Sequence, residues 1–386
     1  MLSLGVVGTS RKENEQRVPI HPEHIRLIPA ELRGAIAFEK GYAEPFGVHD
    51  RELTEIGFAS ATRSELLTDH DIVLLPKPVM EDFEELRAGR VLWGWPHCVQ
   101  QRAFTQTAID KRLTLIAFEA MFRWTREGVK DLHSFYKNNE MAGYCGVIHA
   151  LGLAGMDGSY GPRRRATIIS LGSVSRGAVY ALQGRGFTDI TVFTQRPSHL
   201  VKDQVLGCRY GQMSRGKPGE AHLMAVAPDG ARCPFIEVLA ESDIIVNGIL
   251  QDTDRVLDFV TEDEIPLLKT DTLIIDISAD DAMGFPFARP TSFEEPMFDV
   301  GSIHYYAVDH SPSHLWRAAS WEVSTALLPF LPVVLRGPDG WDNDETIRRS
   351  IEIREGVIAN PKILSFQKRS PDYPHPLTGS NETKQA

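Results

Sequence analysis

The stretch Ile168-Ile169-Ser170-Leu171-Gly172-Ser173-Val174-Ser175-Arg176-Gly177-Ala178, IISLGSVSRGA, decides how this chain is read. Apolar residues run through a turn of small residues into a helical pattern. Ser170, Gly172 and Ser175 stand where a dinucleotide-binding turn normally carries three glycines. The middle position matters most for contact, because a side chain there would block a pyrophosphate, and that position holds Gly172. Ser170 and Ser175 are small replacements, and Gly177 follows for close packing. A pyrophosphate would rest at Ser173 and Val174, on the N-terminus of the helix, where free N–H groups and the helix dipole favour an anion. The plain alternative is a strand turning into a helix with no ligand.

The neighbouring sequence favours the cofactor. A second apolar run, Ile190-Thr191-Val192-Phe193, follows at the expected distance. An NAD-preferring site places Asp or Glu at the end of that second strand. This chain has Thr194-Gln195-Arg196 instead. An arginine there pairs with a 2′-phosphate, so Arg196 predicts NADPH, with NADH as the alternative; a solvated surface charge is its plain reading. Asn247 and Gly248, at a third strand end, and Ser278, at a fourth, are expected to line the nicotinamide side.

Working outward, the same alternation fills both halves of the chain. Residues 2–7, 35–38, 72–75, 91–95 and 113–117 read as buried strands. Between them lie helical patterns near 81–88 and 100–110, and a helix opened by Pro22. Residues 132–153 read as one long helix, within which the chain crosses between domains. Residues 166–171, 190–193, 244–247 and 273–277 form a second strand series, and Thr261 with Glu264 makes a capping box. The segment 202–236 is long for one connection, and Pro228-Asp229-Gly230 predicts a hairpin insertion. A long amphipathic helix over 313–328 is expected to stop at Pro329, a further helix to run over about 344–355, and the chain from about Ser370 to be disordered. The fold class is α/β: two Rossmann-like domains with a cleft between them. Residues 1–140 with 312–386 form the expected substrate domain, and residues 141–311 the nucleotide-binding domain.

The bulk properties exclude some functions. With 386 residues, 42% hydrophobic and 24% charged, the chain has room for two ordinary cores. A net charge of −11 argues against nucleic acid as a partner. The start, Met1-Leu2-Ser3-Leu4-Gly5-Val6-Val7-Gly8, lacks a basic region and a long enough apolar run for a signal peptide. No apolar run approaches the ~20 residues of a membrane span. Cys98, Cys145, Cys208 and Cys233 are scattered without a CxxC pair, which predicts reduced thiols, a cytoplasmic location and no metal site.

Several segments combine into a family pattern: Ser10-Arg11-Lys12-Glu13-Asn14-Glu15-Gln16-Arg17-Val18-Pro19, Pro76-Lys77-Pro78, Gly94-Trp95-Pro96-His97, Phe135-Tyr136-Lys137-Asn138-Asn139-Glu140 and His304-Tyr305-Tyr306-Ala307-Val308-Asp309-His310. Together they resemble the alanine dehydrogenase, transhydrogenase and lysine-forming saccharopine dehydrogenase superfamily, and within it most nearly the N5-(carboxyethyl)ornithine synthases. The resemblance runs from the N-terminus to about Leu331. It implies a homo-oligomer, a 2-keto acid and an amino acid as substrates, and hydride reduction of the imine they form.

That chemistry needs a cation to hold the keto-acid carboxylate, a group of tunable pKa to move protons, and a group to polarise the keto oxygen. Arg17 matches the family's carboxylate-binding arginine. Lys77 follows a strand and is clamped between two prolines; His97 follows the next strand and matches the family's catalytic histidine. Glu119 matches a carboxylate of the saccharopine branch, and either tunes Lys77, meets the incoming amine or is merely a helix-start acid. Asp309 is expected to face the amino substrate. Glu15 reads as a structural partner of its loop, Trp93 and Trp95 as core, and Arg163-Arg164-Arg165 as a solvated loop. The open alternatives are lysine or ammonia as the amine, 2-oxoglutarate as the keto acid, or an NADP-binding regulatory protein without turnover.

Overall fold

The structure, a computed structural model, describes residues 1–378 apart from 228, 250, 253 and 254. In chain order the strands are β1 (Leu4–Val6), β2 (Ile36–Glu39), β3 (Ala59–Ala61), β4 (Ile72–Leu74), β5 (Val91–Gly94) and β6 (Thr114–Ala117). Then come β7 (Phe122–Trp124), β8 (Lys130–His133), β9 (Arg165–Ile169), β10 (Asp189–Thr194), β11 (Arg209–Arg215), β12 (Leu223–Val226) and β13 (Arg232–Pro234). The last are β14 (Ile244–Asn247), β15 (Leu273–Asp276), β16 (Met297–Val300), β17 (Ile303–Tyr306), β18 (Ile351–Arg354) and β19 (Val357–Ile358). The chain divides into two units, one of Met1–Tyr136 with the chain from Trp316 onward, the other of Lys137–Leu315.

The first unit is built on an eight-stranded sheet in the order β19-β18-β6-β5-β4-β1-β2-β3. The strands from β3 to β6 are parallel; β18 and β19 add antiparallel. Strands β1, β4, β5 and β6 are buried along their whole length, as expected of short apolar runs covered by helices on both faces. The chain leaves β1 toward β2 on one side and returns to β4 on the other. That reversal makes the carboxyl ends of β1 and β4 the place where an open sheet binds ligands.

The second unit carries a nine-stranded sheet, β13-β12-β11-β10-β9-β14-β15-β17-β16, in which β9 lies between β10 and β14 and is parallel to both. Its reversal therefore falls at the carboxyl end of β9, where the quoted turn begins. The expected hairpin is present as β12 and β13, antiparallel to each other and, through β12, to β11. Pro228, in its turn, lies outside the described residues.

Four expectations are corrected. The helix expected from 132 begins at Tyr136, because Lys130–His133 pairs as β8 with β7 across a turn at Gly128. The helix expected to stop at Pro329 continues as short helical segments to Leu335, with Pro329 and Pro332 each in a first turn, where the missing N–H costs nothing. The resulting stretch, Ser311–Leu335, is long and apolar enough to cross a membrane by length and composition. Here Val323, Leu327, Leu331, Val334 and Leu335 belong to the core of the first unit. The helix expected over 344–355 ends at Ser350, and Ile351 and Ile353 go instead to a strand against β6. Finally, of the stretch expected to be disordered, residues 370–378 are held, and residues 379–386 lie outside the described residues. His375 is buried and its Nε2 accepts from the Ile358 N–H at 3.0 Å, while Arg369 donates to the His375 carbonyl at 3.1 Å. A compositional reading sees the polar residues and not these anchors.

Candidate active site

The parallel register delivers the first group of residues. Ile72 lies opposite Val91, and Val91 opposite Thr114. Pairing runs on past the strands: the Leu75 N–H donates to the Trp93 carbonyl at 3.1 Å, and the Trp95 N–H to the Pro76 carbonyl at 2.8 Å. Gly94 makes this approach possible, since a Cβ there would stand 2.0 Å from the Leu75 oxygen. Lys77, His97 and Glu119 therefore leave neighbouring strands at one level. Lys77 Nζ lies 3.0 Å from His97 Nε2. The His97 N–H donates to Glu119 Oε1 at 2.7 Å, with His97 Nδ1 3.7 Å from the same oxygen. His97 has φ 47°, a left-handed conformation costing a non-glycine residue about 1–2 kcal/mol. The Glu119 hydrogen bond holds it there.

Arg17 is buried, and its guanidinium and backbone N–H both bind Glu15, with Nε 2.9 Å from Oε1. Arg17 Cζ lies 5.3 Å and Lys77 Nζ 5.9 Å from the centre of the Trp95 ring. Trp95 is thus a platform beneath two cations, besides packing on Phe118 and Phe135. Trp93 is plain core, its indole N–H on the Met121 sulfur. Glu15 is the partner of Arg17 itself.

A second buried carboxyl lies on β18, the strand paired with β6, which runs on toward Glu119. Glu352, on β18, is 4% exposed, and its Oε1 accepts from Asn360 Nδ2 at 2.9 Å. Oε2 of both Glu119 and Glu352 is buried with no hydrogen-bond partner among the described residues. Burial pushes the Glu119 carboxyl up to about 8, the charge of Glu352 adding to it and Lys77 opposing. Burial likewise pushes Glu352 up to about 7. His133 Nε2 meets the Glu119 carbonyl at 3.2 Å and its Nδ1 accepts from the Phe135 N–H, and burial lowers it to about 4, so it is neutral. Sequence reading missed Glu352 and undervalued Trp95. The two tryptophans at 93 and 95 resemble each other in sequence, and only the end of the strand between them separates their roles.

In the second unit the quoted turn keeps the backbone of its glycine-bearing form. Ser170 has φ 84°, and its N–H donates to the Phe193 carbonyl at 2.7 Å. Gly172 caps the helix Ser173–Gly184, and a Cβ there would meet nothing within 4 Å, so this face is open. Ser175 is buried, its hydroxyl on the Ile169 carbonyl at 3.2 Å. A Cβ at Gly177 would stand 1.7 Å from the Glu140 oxygen, and one at Gly143 1.8 Å from the Val174 oxygen. This helix and the helix Tyr136–Leu153 therefore cross at contact distance only through these glycines. Ser173 and Val174 form the first turn.

The turn borders a cavity of about 480 Å³ lined by Ser170, Gly172, Arg176, Arg196 and Lys202, among others. Arg176 donates to the carbonyls of Lys202 and Asp203. Gly248 closes on the turn, a Cβ there falling 2.4 Å from Ser175 Oγ. Asn247 is buried, its amide N on Asp276 at 2.9 Å and its oxygen accepting from the Ile249 N–H at 3.0 Å. Asp276 also accepts from the Tyr305 hydroxyl at 2.9 Å and from the Ser278 N–H at 3.1 Å, and burial raises it to about 7. Asn247 thus spends its side chain inside this network, which also fixes Ser278. Asp309, just past β17, lies 2.5 Å from His310 Nδ1. Among the described residues no group of three His, Cys, Asp or Glu side chains is placed to hold a metal ion.

Residues 6–138 match the domain described as alanine dehydrogenase/PNT, N-terminal domain, and residues 230–361 the C-terminal domain of the same family. The chain belongs to the alanine dehydrogenase/PNT family. As a member it is an oxidoreductase, an amino acid dehydrogenase that works with a nicotinamide cofactor. It is similar to an N(5)-(carboxyethyl)ornithine synthase of Clostridium botulinum, 26% identical over 81% of this chain and 89% of that protein. An alanine dehydrogenase of Mycobacterium tuberculosis is 22% identical over 93% of this chain and 95% of its own length. Among solved structures an L-alanine dehydrogenase superposes with a TM-score of 0.72 at 17% identity, covering 95% of this chain and 99% of that one. This family member has the two Rossmann-like domains its sequence predicts.

Proposed function

We propose that the protein condenses pyruvate with the side-chain amine of ornithine and reduces the resulting imine at the expense of NADPH. The observation that carries the reading is the Lys77–His97 contact of 3.0 Å, beside Arg17 and Glu119. Likeness to an N(5)-(carboxyethyl)ornithine synthase supports the choice of amine and keto acid.

In this reading Arg17 binds the keto-acid carboxylate, released in part from Glu15. Lys77 polarises the keto oxygen, and protons pass between Lys77 and His97 as the carbinolamine loses water. The dinucleotide, when bound, supplies the hydride. The second unit fits it: Gly172 leaves its face open, the helix Ser173–Gly184 presents free N–H groups, and Arg196 and Lys202 bring positive charge to the same cavity. Arg196 selects the 2′-phosphate, Asn247 and Ser278 shape the nicotinamide end with Gly248, and Asp309 meets the amino substrate.

A second reading, reductive amination with ammonia, is favoured by the alanine dehydrogenase likeness. NADPH oxidation with pyruvate fixed and ornithine, lysine, ammonia or no amine added separates the two, with NADH in parallel. Ornithine-dependent turnover that disappears in Lys77→Met and His97→Ala is the expected result. Turnover with ammonia alone moves the protein to the second reading. Tight NADPH binding without turnover on any amine, and with 2-oxoglutarate as well, overturns both.

A further inference from the structure

Asp82 lies in the first turn of the short helix Met80–Glu85, and its side chain is wholly buried. An aspartate so placed ordinarily caps its helix from the water side, and Asp is almost never fully buried unless it is paired. Asp82 does cap: its Oδ2 accepts from the Val79 N–H at 2.9 Å. The other oxygen does more than a cap requires. Oδ1 accepts from Arg11 at 3.0 Å and from Arg63 at 2.6 Å, so one buried carboxylate joins two guanidiniums.

The partners come from three segments. Val79 lies two residues beyond Lys77, with Pro78 between them. Arg11 belongs to the loop that leaves β1 and runs on to Arg17. Arg63, in the first turn of the helix Arg63–Asp69, reaches the same loop and donates to the Thr9 hydroxyl at 3.1 Å. The loop also closes on Lys77 directly: the Ser10 hydroxyl donates to the Lys77 carbonyl at 3.3 Å and accepts from the Lys12 N–H at 3.1 Å. Glu39 holds the root of the loop, its Oε2 accepting from the Gly8 and Thr9 N–H groups at 2.8 Å each. The loop that carries Arg17 and the turn that carries Lys77 are therefore tied twice, at Ser10 and through Asp82.

We infer that Asp82 is a positioning residue: it sets the Lys77 turn against the Arg17 loop and so fixes the span between the two cations of the site. The inference rests on the catalytic reading of Lys77 and Arg17. A 2-keto acid presents its carboxylate and its keto oxygen on adjacent carbons. For Arg17 to hold the one while Lys77 polarises the other, the span between their loops must not vary. A misplacement of about 1 Å costs on the order of 10²-fold in rate. The prolines on either side of Lys77 stiffen its turn but do not aim it at another loop; the bonds of Asp82 to Val79 and Arg11 do.

The test is Asp82→Asn in the full chain. The amide keeps the size, offers an acceptor to one side only and leaves Arg63 without its counter-charge, while Arg11 retains its pairing with Glu85. Two readouts are taken. The first needs no substrate: the acylation rate of Lys77 by acetic anhydride, followed by mass spectrometry with Lys269 of the other unit as internal standard. It should rise several-fold as the turn loosens and Lys77 leaves its contact with His97. The second is turnover: kcat should fall by about 10–10²-fold and the KM for the keto acid should rise, while the KM for NADPH stays at the wild-type value. A protein that melts earlier while Lys77 acylation and kcat are unchanged would make Asp82 a helix cap and no more, and would overturn the inference. If Asp82→Asn does not fold, Arg11→Gln carries the test, since it leaves the cap and the Arg63 pair in place and cuts only the tie to the loop. The same rise in Lys77 acylation is expected of it, and an unchanged rate is equally fatal. A rise in a protein whose wild type turns over no keto acid would sink the catalytic reading and leave the brace standing.

Discussion

His97 and Ser170 make an instructive pair. Each follows a parallel strand and each carries a side chain where the backbone is left-handed; Ser170 sits at its own sheet's reversal, and His97 follows the strand next to β4, which borders the other. At His97 the strain is held by a carboxyl, Glu119, whose other oxygen has no hydrogen-bond partner among the described residues. At Ser170 it is held by an ordinary main-chain bond to Phe193. The first turn needs its side chain, because an imidazole must reach Lys77. The second merely tolerates one, since the conformation is what glycine would adopt unaided. Strain at His97 therefore points to chemistry, and strain at Ser170 to substitution.

The largest effect expected from breaking this contrast is catalytic. Lys77→Met or His97→Ala should lower kcat by about 10²–10⁴-fold, the range for loss of general acid–base groups. NADPH affinity, measured by fluorescence titration, should stay at the wild-type value. Parallel loss of binding and turnover would mean that the variants unfold the protein rather than remove its chemistry.

Buried carboxyls sharpen the comparison. In the second unit Asp276 accepts three hydrogen bonds, yet burial still raises it to about 7. Its folded pKa exceeds the unfolded value near 3.9, so the native state binds the proton more tightly. That contribution is whole below about pH 4 and is lost as pH rises toward 7, by at most about 4 kcal/mol. Wild type should therefore lose melting temperature between pH 5 and pH 8 more steeply than Asp276→Asn. Equal slopes in the two proteins would show that Asp276 titrates near its ordinary value.

How much of this was legible beforehand follows the physics of each residue. Lys77 and His97 stood out because each ends an apolar run beside prolines, and register between parallel strands then brings them together. The order of strands from β1 to β6 and the parallel core of the second sheet were readable from alternation of short apolar runs with helical patterns. Glu352 was hidden, since its strand read as the end of a helix and its partner lies on a strand more than two hundred residues earlier in the chain. Pairing of that kind depends on tertiary packing rather than local propensity. The anchors of the C-terminal segment, Arg369 and His375, were hidden for the same reason. The sign of φ at Ser170 and His97 was beyond sequence altogether, because serine and histidine seldom adopt it.

Arg196 offers a smaller effect. If it meets the 2′-phosphate, Arg196→Asp should shift the NADPH-to-NADH ratio of kcat/KM by about tenfold or more toward NADH, the worth of one charge-assisted contact. An unchanged ratio would return Arg196 to the status of a surface charge and leave Lys202 as the cation of that cavity.

The smallest effect tests the contrast most directly. Ser170→Gly should stabilise the protein by about 1 kcal/mol, because it removes a Cβ from a left-handed residue. The gain is reduced by the greater freedom of glycine in the unfolded chain, so a rise of a few degrees at most in melting temperature is expected. NADPH affinity should hold or improve, since the Ser170 N–H keeps its bond to Phe193. His97→Gly relieves the same backbone strain and should still lower turnover as far as His97→Ala does, because what the first turn stores strain for is the imidazole. A Ser170→Gly protein that binds NADPH several-fold more weakly would show that the hydroxyl itself contacts the dinucleotide. The two turns would then differ only in which ligand their strained side chain serves.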